Sequence, residues 1–220
     1  AMPQAVVFDL DYTLAVPQRD RATILEEATA TTGAPSLSRE AYLAAHRRNL
    51  TTETREPIFA DLLENTDSDA DPAAVATAYR ETIADALEPL PGVETMLADL
   101  RGEYLVGLLT NGPVRAQRDK LETLGWEEAF DAAVVTGELE AGKPDPRAFE
   151  AITDELRVAP AEAVYVGDEV DADVRGATNA GLAAIQVVLE DGPDPDPRAV
   201  AHVEQAQVAT AVPELVADLE

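Results

Sequence analysis

Two aspartates, Asp9 and Asp11, follow the apolar run Ala5-Val6-Val7-Phe8. Such a run reads as a buried strand, so both carboxylates are delivered to one defined place at its carboxyl end. Carboxylates this close repel each other unless a cation or a shared proton relieves them. Downstream, Leu108-Leu109 leads into Thr110-Asn111-Gly112-Pro113, a hydroxyl and an amide ahead of a helix that Pro113 opens. Unpaired N–H groups at a helix start favour an anion such as phosphate, although Thr110 or Asn111 taken alone would serve equally as an N-cap. Lys143 lies between Gly142 and Pro144, and the proline restricts where the lysine can point. Val166-Gly167 runs into Asp168, with Glu169, Asp171 and Asp173 close behind. Carboxylates at a strand end are hard oxygen ligands of the kind magnesium takes.

These residues stand against an acidic background. Asp and Glu number 43 against 16 Lys and Arg, a net charge of −27. Any single aspartate is therefore first a solvated one, and position must argue otherwise. A surface of this sign repels phosphate backbones, which excludes nucleic-acid binding through a basic patch. Screening cations relieve the self-repulsion. An acidic excess with only two lysines, Lys120 and Lys143, resembles the composition of proteins from salt-loving archaea. A lysine kept at 143, where arginine carries nearly all other positive charge, points to a site that needs a compact point charge. There is no cysteine, so disulfides, thiolate zinc sites and cysteine nucleophiles are excluded. His46 and His202 are too separated for a histidine metal cluster and read as ordinary polar residues. No apolar run approaches the ~20 residues of a membrane span and no signal peptide is evident, so a cytoplasmic location is expected. Ala1 ahead of Met2 reads as an expression remnant. The sequence carries no signal for oligomeric state.

Positioning these clusters requires strands that end where the clusters begin. Gln4–Asp9, Tyr104–Thr110, Ala132–Thr136, Ala163–Gly167 and Ala183–Val188 read as buried parallel strands. Helical patterns lie between the later ones: Gly92–Arg101, Pro113–Leu124 with Gly125 as its stop, Pro146–Leu156, and a short segment near Asp171–Ala180. The alternation predicts an α/β fold with a Rossmann-like, doubly wound parallel sheet. The stretch from Pro17 to Pro89 breaks it, with helical signals at Arg19–Thr32, Ser38–Leu50, Pro57–Glu64 and Pro72–Leu87 and no convincing strand. Asp71-Pro72 is a good helix start, and Ser38 an N-cap without the acid or amide that would complete a capping box. The expected organisation is a core of residues 1–16 and 90–220 with an inserted all-helical segment, 17–89. Prolines punctuate both junctions, at Val16–Arg19 and Glu88–Gly92. Glu190–Arg198 reads as an extended loop and Val208–Glu220 as a last amphipathic helix or tail.

Taken in order, Asp9-Leu10-Asp11-Tyr12-Thr13, then Leu109-Thr110-Asn111, then Gly142-Lys143-Pro144, then Gly167-Asp168 with Asp173 resemble the four signature motifs of the haloacid dehalogenase-like superfamily. The resemblance covers Val6 to about Gly181, and the helical insertion resembles the family's C1-type cap, as in phosphoglycolate phosphatase-like members. It implies a Mg2+-dependent phosphatase acting on a small phosphorylated metabolite. Asp9 would be the nucleophile, forming a phospho-aspartate, and Asp11 the acid and base. Thr110, Asn111 and Lys143 would hold the phosphoryl oxygens, with N–H groups from the helix start after Asn111. The ion would be held by Asp9, the Asp11 main-chain carbonyl and Asp168. Asp173 would stand behind these ligands, orienting Lys143. Tyr12 departs from the family pattern, which often has glycine there; its ring would narrow the entrance or pack under the cap.

Within the family, Asp11 argues against a dehalogenase, and the absence of any lysine before Lys120 removes a phosphonatase with a cap lysine. A β-phosphoglucomutase-type sugar-phosphate mutase is an alternative that shares the core motifs. From other classes, a phospho-accepting receiver domain would place its phosphorylated aspartate on the third strand and carry no cap, and an acidic binding module would not need four ordered motifs. The cap chooses the substrate; Arg47, Arg48 and Arg55 are candidates to reach a carboxylate or second phosphate, with at least two of them expected to be plain surface residues. Phosphoglycolate, sugar phosphates and nucleotides all stay open.

Overall fold

The apolar runs become strands because each is covered on both faces. Val6 and Phe8 pack into one apolar cluster and Ala5 and Val7 into another, and all four are fully buried. In the computed structural model, which describes residues 2–219, they form β1 (Ala5–Phe8), followed by β2 (Ala15–Pro17). Four helices come next: α1 (Arg21–Thr31), α2 (Arg39–Arg48), α3 (Glu56–Leu63) and α4 (Pro72–Ala86). After β3 (Leu87–Pro89) the chain alternates through α5 (Val93–Leu100), β4 (Leu105–Thr110), α6 (Val114–Leu124), β5 (Ala132–Val135), α7 (Pro146–Leu156) and β6 (Ala163–Gly167). It ends with α8 (Gly176–Asn179), β7 (Ala183–Val188), β8 (Ala201–Glu204) and α9 (Val208–Ala217). Ala1 and Glu220, the ends of the expected core, lie outside the described residues. Among those described, no helix is long and apolar enough to cross a membrane.

The main sheet has the order β5-β4-β1-β6-β7-β8 with every pair parallel. This is the expected α/β architecture with helices on both faces: α5 and α9 cover one, α7 and α8 the other. The strand order turns at β1, with β4 on one side and β6 on the other, and the crevice at such a turning point is where open α/β sheets bind ligands. Phe8 pairs with both Leu108 and Val166, so Asp9, Thr110 and Asp168 emerge at the same edge.

Helices α1–α4 have their own apolar cluster, built on Ile24, Tyr42, Ile58, Phe59, Tyr79 and Ile83. Tyr42 and Tyr79 lie 5.0 Å apart between ring centres, and Phe59 meets Tyr79 edge-on at 5.7 Å. Burying a ring such as that of Phe59 contributes about 1.5–3 kcal/mol. The helix starts are capped by side chains: Ala22 N–H donates to Asp20, Ala41 N–H to Ser38 and Ala73 N–H to Asp71.

Three features depart from the sequence expectation. The helical stretch is entered and left through an antiparallel ribbon, β2 with β3, pairing Val16 with Glu88. A sixth strand, β8, adds to the sheet edge, where only Val203 is buried. The segment after Asp168 begins as a π-helical turn, Val170–Arg175, before the single α-helical turn of α8.

Candidate active site

Lys143 is the hub of the crevice. Only 2 % exposed, its ammonium donates to Asp173 Oδ1 at 2.7 Å, to the Tyr165 hydroxyl at 2.6 Å and to Asp9 Oδ1 at 3.1 Å. Charge-assisted contacts of this length are strong, and with Asp173 and Asp9 they raise the lysine above its ordinary range despite burial. Its main chain is fixed as well: Asn111 Nδ2 donates to the Lys143 carbonyl at 3.0 Å, and Lys143 N–H donates to Asn111 Oδ1 at 2.9 Å. Asn111 thus uses its amide to place the lysine. Gly167 is needed beside this hub, because an added Cβ would collide with the Asp173 carboxyl group.

Asp9 sits directly after β1, with its N–H donating to Val166 carbonyl at 2.9 Å. Burial pushes its carboxyl up, Lys143 opposes this, and Asp173, Asp11 and Glu169 push further, leaving it at about 7. Burial and the charges of Asp9 and Asp173 raise Asp168 well above the carboxylate range. Ligand oxygens of Asp9, Asp168 and Asp173 lie within 4.8 Å of one another. An all-carboxylate set that crowded is self-repulsive, and its hard oxygens fit magnesium. The two oxygens of Asp173 are engaged by Lys143 and Tyr165 on one side and Glu169 N–H on the other, which leaves Asp9 and Asp168 as the freer donors. The Thr13 hydroxyl, fully buried, donates to Asp168 at 3.4 Å.

Asp11 has company that the motif reading does not name. Lys120 Nζ reaches its two oxygens at 2.8 and 3.0 Å, Arg21 NH2 reaches Oδ1 at 2.7 Å, and Gln117 Nε2 donates to Oδ2 at 2.9 Å. Although burial opposes it, the two cations and these hydrogen bonds hold Asp11 far below the usual carboxylate range. Burial brings Lys120 down to about 7, with Asp11 acting against that fall and Arg21 and Arg55 adding to it. Gln117 also donates to the Thr110 hydroxyl at 2.6 Å, so Thr110 is tied to Asp11 through one amide. Gln117 and Lys120 are three residues apart on α6 and share a face. The retention of lysine in an arginine-dominated chain marks position 120 as much as 143.

Three of the N–H groups at the helix start after Asn111 are already engaged. Val114 and Arg115 donate to the Thr52 and Glu53 carbonyls, and Gly112 to the Thr136 hydroxyl. Pro113 is the residue before α6, not its first member.

A cavity of about 100 Å³ lies between these groups and the helical segment, which contributes Arg21, Arg39, Tyr42, His46 and Arg55 to its wall. Of the three candidate arginines in this segment, at least two of them expected to be surface residues, Arg55 is buried at the cavity, Arg48 is exposed and paired with Asp61 at 2.8 Å, and Arg47 is exposed. His46 is not an ordinary polar residue: burial, with Arg55 and Lys120, lowers it to about 3, so it is neutral. Tyr12 adopts φ 64, a left-handed conformation that costs a residue with a side chain about 1–3 kcal/mol. Its ring lies 5.4 Å beneath the Arg21 guanidinium, so it packs under the helical segment.

Comparison with known proteins agrees with this geometry. Residues 6–187 match the family model described as haloacid dehalogenase-like hydrolase. The glyceraldehyde 3-phosphate phosphatase of Methanopyrus kandleri is 36% identical over 144 residues, 64% of this chain and 62% of that protein. The chain spans about three fifths of the length of the first such relatives it matches. Among solved structures, CbbY from Rhodobacter sphaeroides in complex with phosphate superposes with a TM-score of 0.72 at 22% identity, covering 94% of this chain and 96% of that one. YfnB from Bacillus subtilis, solved bound to magnesium, does so with 0.74 at 20% identity, covering 100% and 99%.

Proposed function

Because the chain belongs to the haloacid dehalogenase-like hydrolase family, we propose that it hydrolyses a small phosphate monoester through a phospho-aspartate on Asp9. The observation that carries this reading is the buried Lys143, fixed at the sheet's turning point by Asp173 and Tyr165 and aimed at Asp9. A nucleophilic carboxylate with a rigid cation beside it suits attack on phosphorus, where charge builds on the equatorial oxygens. An Asp9 oxygen forms the bond to phosphorus as the ester oxygen leaves; water then attacks the same phosphorus and returns Asp9 as carboxylate. Lys143 offsets phosphoryl charge in both halves, while Thr110 and Asn111 hold the phosphoryl pocket's shape through Gln117 and Lys143. Asp9, Asp168 and the Asp11 carbonyl would hold Mg2+, which when bound supplies charge neutralisation for the phosphoryl oxygens.

Asp11 is the acid and base. Held by Lys120 and Arg21 it is ionised, ready to accept the proton of the attacking water. To act as the acid, Asp11 must first take up a proton from solvent, which those cations oppose until they withdraw, and Arg21 rides on α1 of the helical segment; that proton passes to the leaving ester oxygen, and the one taken from the attacking water replaces it. We read that segment, residues 17–89, as a cap hinged on the β2–β3 ribbon. The M. kandleri relative's name supports a small phosphorylated metabolite as substrate.

Steady-state turnover of p-nitrophenyl phosphate with Mg2+ tests the reading. Wild type should turn over continuously and Asp9→Asn should be inactive with an unchanged circular dichroism spectrum. Substantial activity in folded Asp9→Asn would sink the assignment.

A further inference from the structure

Five of the 16 basic residues in this chain, Arg21, Arg39, Arg55, Lys120 and Lys143, line one cavity of about 100 Å³. In a protein with 43 acids the ordinary fate of an arginine is a carboxylate partner, and three of the five have one. Asp11 answers Arg21 and Lys120, and Asp9 with Asp173 answers Lys143. Arg39 and Arg55 have none among the described residues. Arg39 donates only to the Tyr79 hydroxyl at 3.2 Å, and Arg55 Nε only to the Tyr42 hydroxyl at 3.0 Å. Their guanidinium carbons lie 5.3 Å from the Tyr42 ring centre and 5.0 Å from that of Tyr79 respectively, so both are packed in place.

A second observation points the same way. Among the described residues, the buried side-chain nitrogens left without a partner are Arg21 Nε, His46 Nδ1 and Arg55 NH1. All three residues line this cavity, and Arg55 is only 4 % exposed. Buried polar groups are almost always satisfied, so unsatisfied ones on three residues around one cavity point to a ligand. A buried cation demands it most, because it carries both a charge and fixed donors.

Building on the phosphatase reading, we propose that the alcohol half of the substrate carries a carboxylate, received by Arg55 and Arg39 with His46 beside them. The phosphoryl group is addressed from the sheet side by Asp9 and Lys143. The two free arginines come from α2 and the turn before α3, so the group they receive belongs to the other end of the molecule. A guanidinium presents paired donors in the spacing of a carboxylate's two oxygens. The cavity must hold the phosphoryl group as well, and Glu169 lines it too, so a compact monoanion fits better than a second phosphate dianion. The substrate class is the phosphate monoester of a short hydroxy acid.

The test uses the full chain with Mg2+ and compares kcat/KM for 3-phosphoglycerate, glycerol 3-phosphate and propane-1,3-diol bisphosphate, with p-nitrophenyl phosphate as reference. The first two differ by a carboxylate against a hydroxymethyl group. The carboxylate ester should be preferred by roughly ten-fold or more, mostly through KM, since a site built for a polar group rejects the analogue lacking it. Arg55→Gln should pull that ratio toward one, and Arg55→Lys should restore part of it. Free glycerate should raise the melting temperature of wild type more than glycerol does. Equal kcat/KM for the matched pair, or preference for the bisphosphate, overturns the proposal while p-nitrophenyl phosphate turnover keeps the phosphatase reading. Absence of turnover on every ester, with no thermal shift from glycerate, overturns both. Should Arg55→Gln fail to fold, the wild-type pair and the glycerate shift decide.

Discussion

Lys120→Met isolates the contact between α6 and Asp11. Methionine keeps the length and apolar stem of the lysine and removes only the ammonium, whose side chain is 3 % exposed. At 2.8 Å and an effective dielectric of ~20, the Coulomb attraction to Asp11 is about 6 kcal/mol, offset by a desolvation penalty of several kcal/mol for each ion. Orphaning a buried charge costs about 3–5 kcal/mol, but Asp11 keeps Arg21 at 2.7 Å and Gln117 at 2.9 Å. The expected destabilisation is therefore about 1–3 kcal/mol, a fall in melting temperature of roughly 3–10 °C for a chain of this size. Thermal or urea melts of wild type, Lys120→Met, Asp11→Asn and the double variant, in chelator to keep metal out, close a double-mutant cycle. The two changes should couple by about 1–3 kcal/mol, the double variant being less unstable than the sum. A coupling below about 0.5 kcal/mol would refute the buried pair and with it the account of why Asp11 is ionised.

Asp11→Asn should slow both leaving-group departure and hydrolysis of the phospho-enzyme, measured by rapid quench; wild-type rates in both would remove its acid and base role. Burial raises the Asp9 carboxyl to about 7 in the metal-free fold, against its ordinary 3.8 in the unfolded chain. The native state thus binds the extra proton between those values, and its contribution to metal-free stability is lost as pH rises through them. Stabilisation by Mg2+ should accordingly grow from about pH 5 to pH 8 in thermal melts; a shift independent of pH would contradict the raised carboxyls. Gly167→Ala drives a Cβ into the Asp173 carboxyl group and should cost about 1–3 kcal/mol along with kcat, because Asp173 must move from Lys143. Unchanged melts and turnover would show that the hub tolerates displacement.

The parallel strands were readable because burial on both faces forces continuous apolar runs, as in Val6 to Phe8 and Ala163 to Gly167. β8 was not, since an edge strand with only Val203 buried has no such run, and neither were β2 and β3, which are three residues each. The π-helical turn after Asp168 leaves no periodic pattern to read, although it carries Asp173, which meets Lys143. Asp9, Lys143 and Asp168 were legible because their strands end on them. Arg21, Gln117 and Lys120 were obscured because their relation to Asp11 runs across 10, 106 and 109 residues. The scarcity of lysine held the clue to Lys120, and a lysine and glutamine on one helical face completed it. At the α6 start, two N–H groups expected to face an anion are spent on the Thr52 and Glu53 carbonyls, a partner no local pattern announces.

Among the described residues, Arg39 and Arg55 stand without carboxylate partners in a cavity whose lining otherwise sets Arg21, Lys120 and Lys143 against Asp9, Asp11, Asp168 and Glu169. An anion approaching from afar meets a body of charge −27 and is repelled; only within the crevice does it meet Lys143, Arg39 and Arg55. The two zones respond differently to ions in solution. Raising salt from 0.1 M to 1 M shortens the screening length from about 10 Å to about 3 Å, which erases the distant repulsion and weakens partly buried contacts inside the cavity far less. Most electrostatically guided enzymes capture their substrates more slowly as salt rises. Here the association rate should climb with ionic strength, so that screening opens the approach while Arg39 and Arg55 hold what enters.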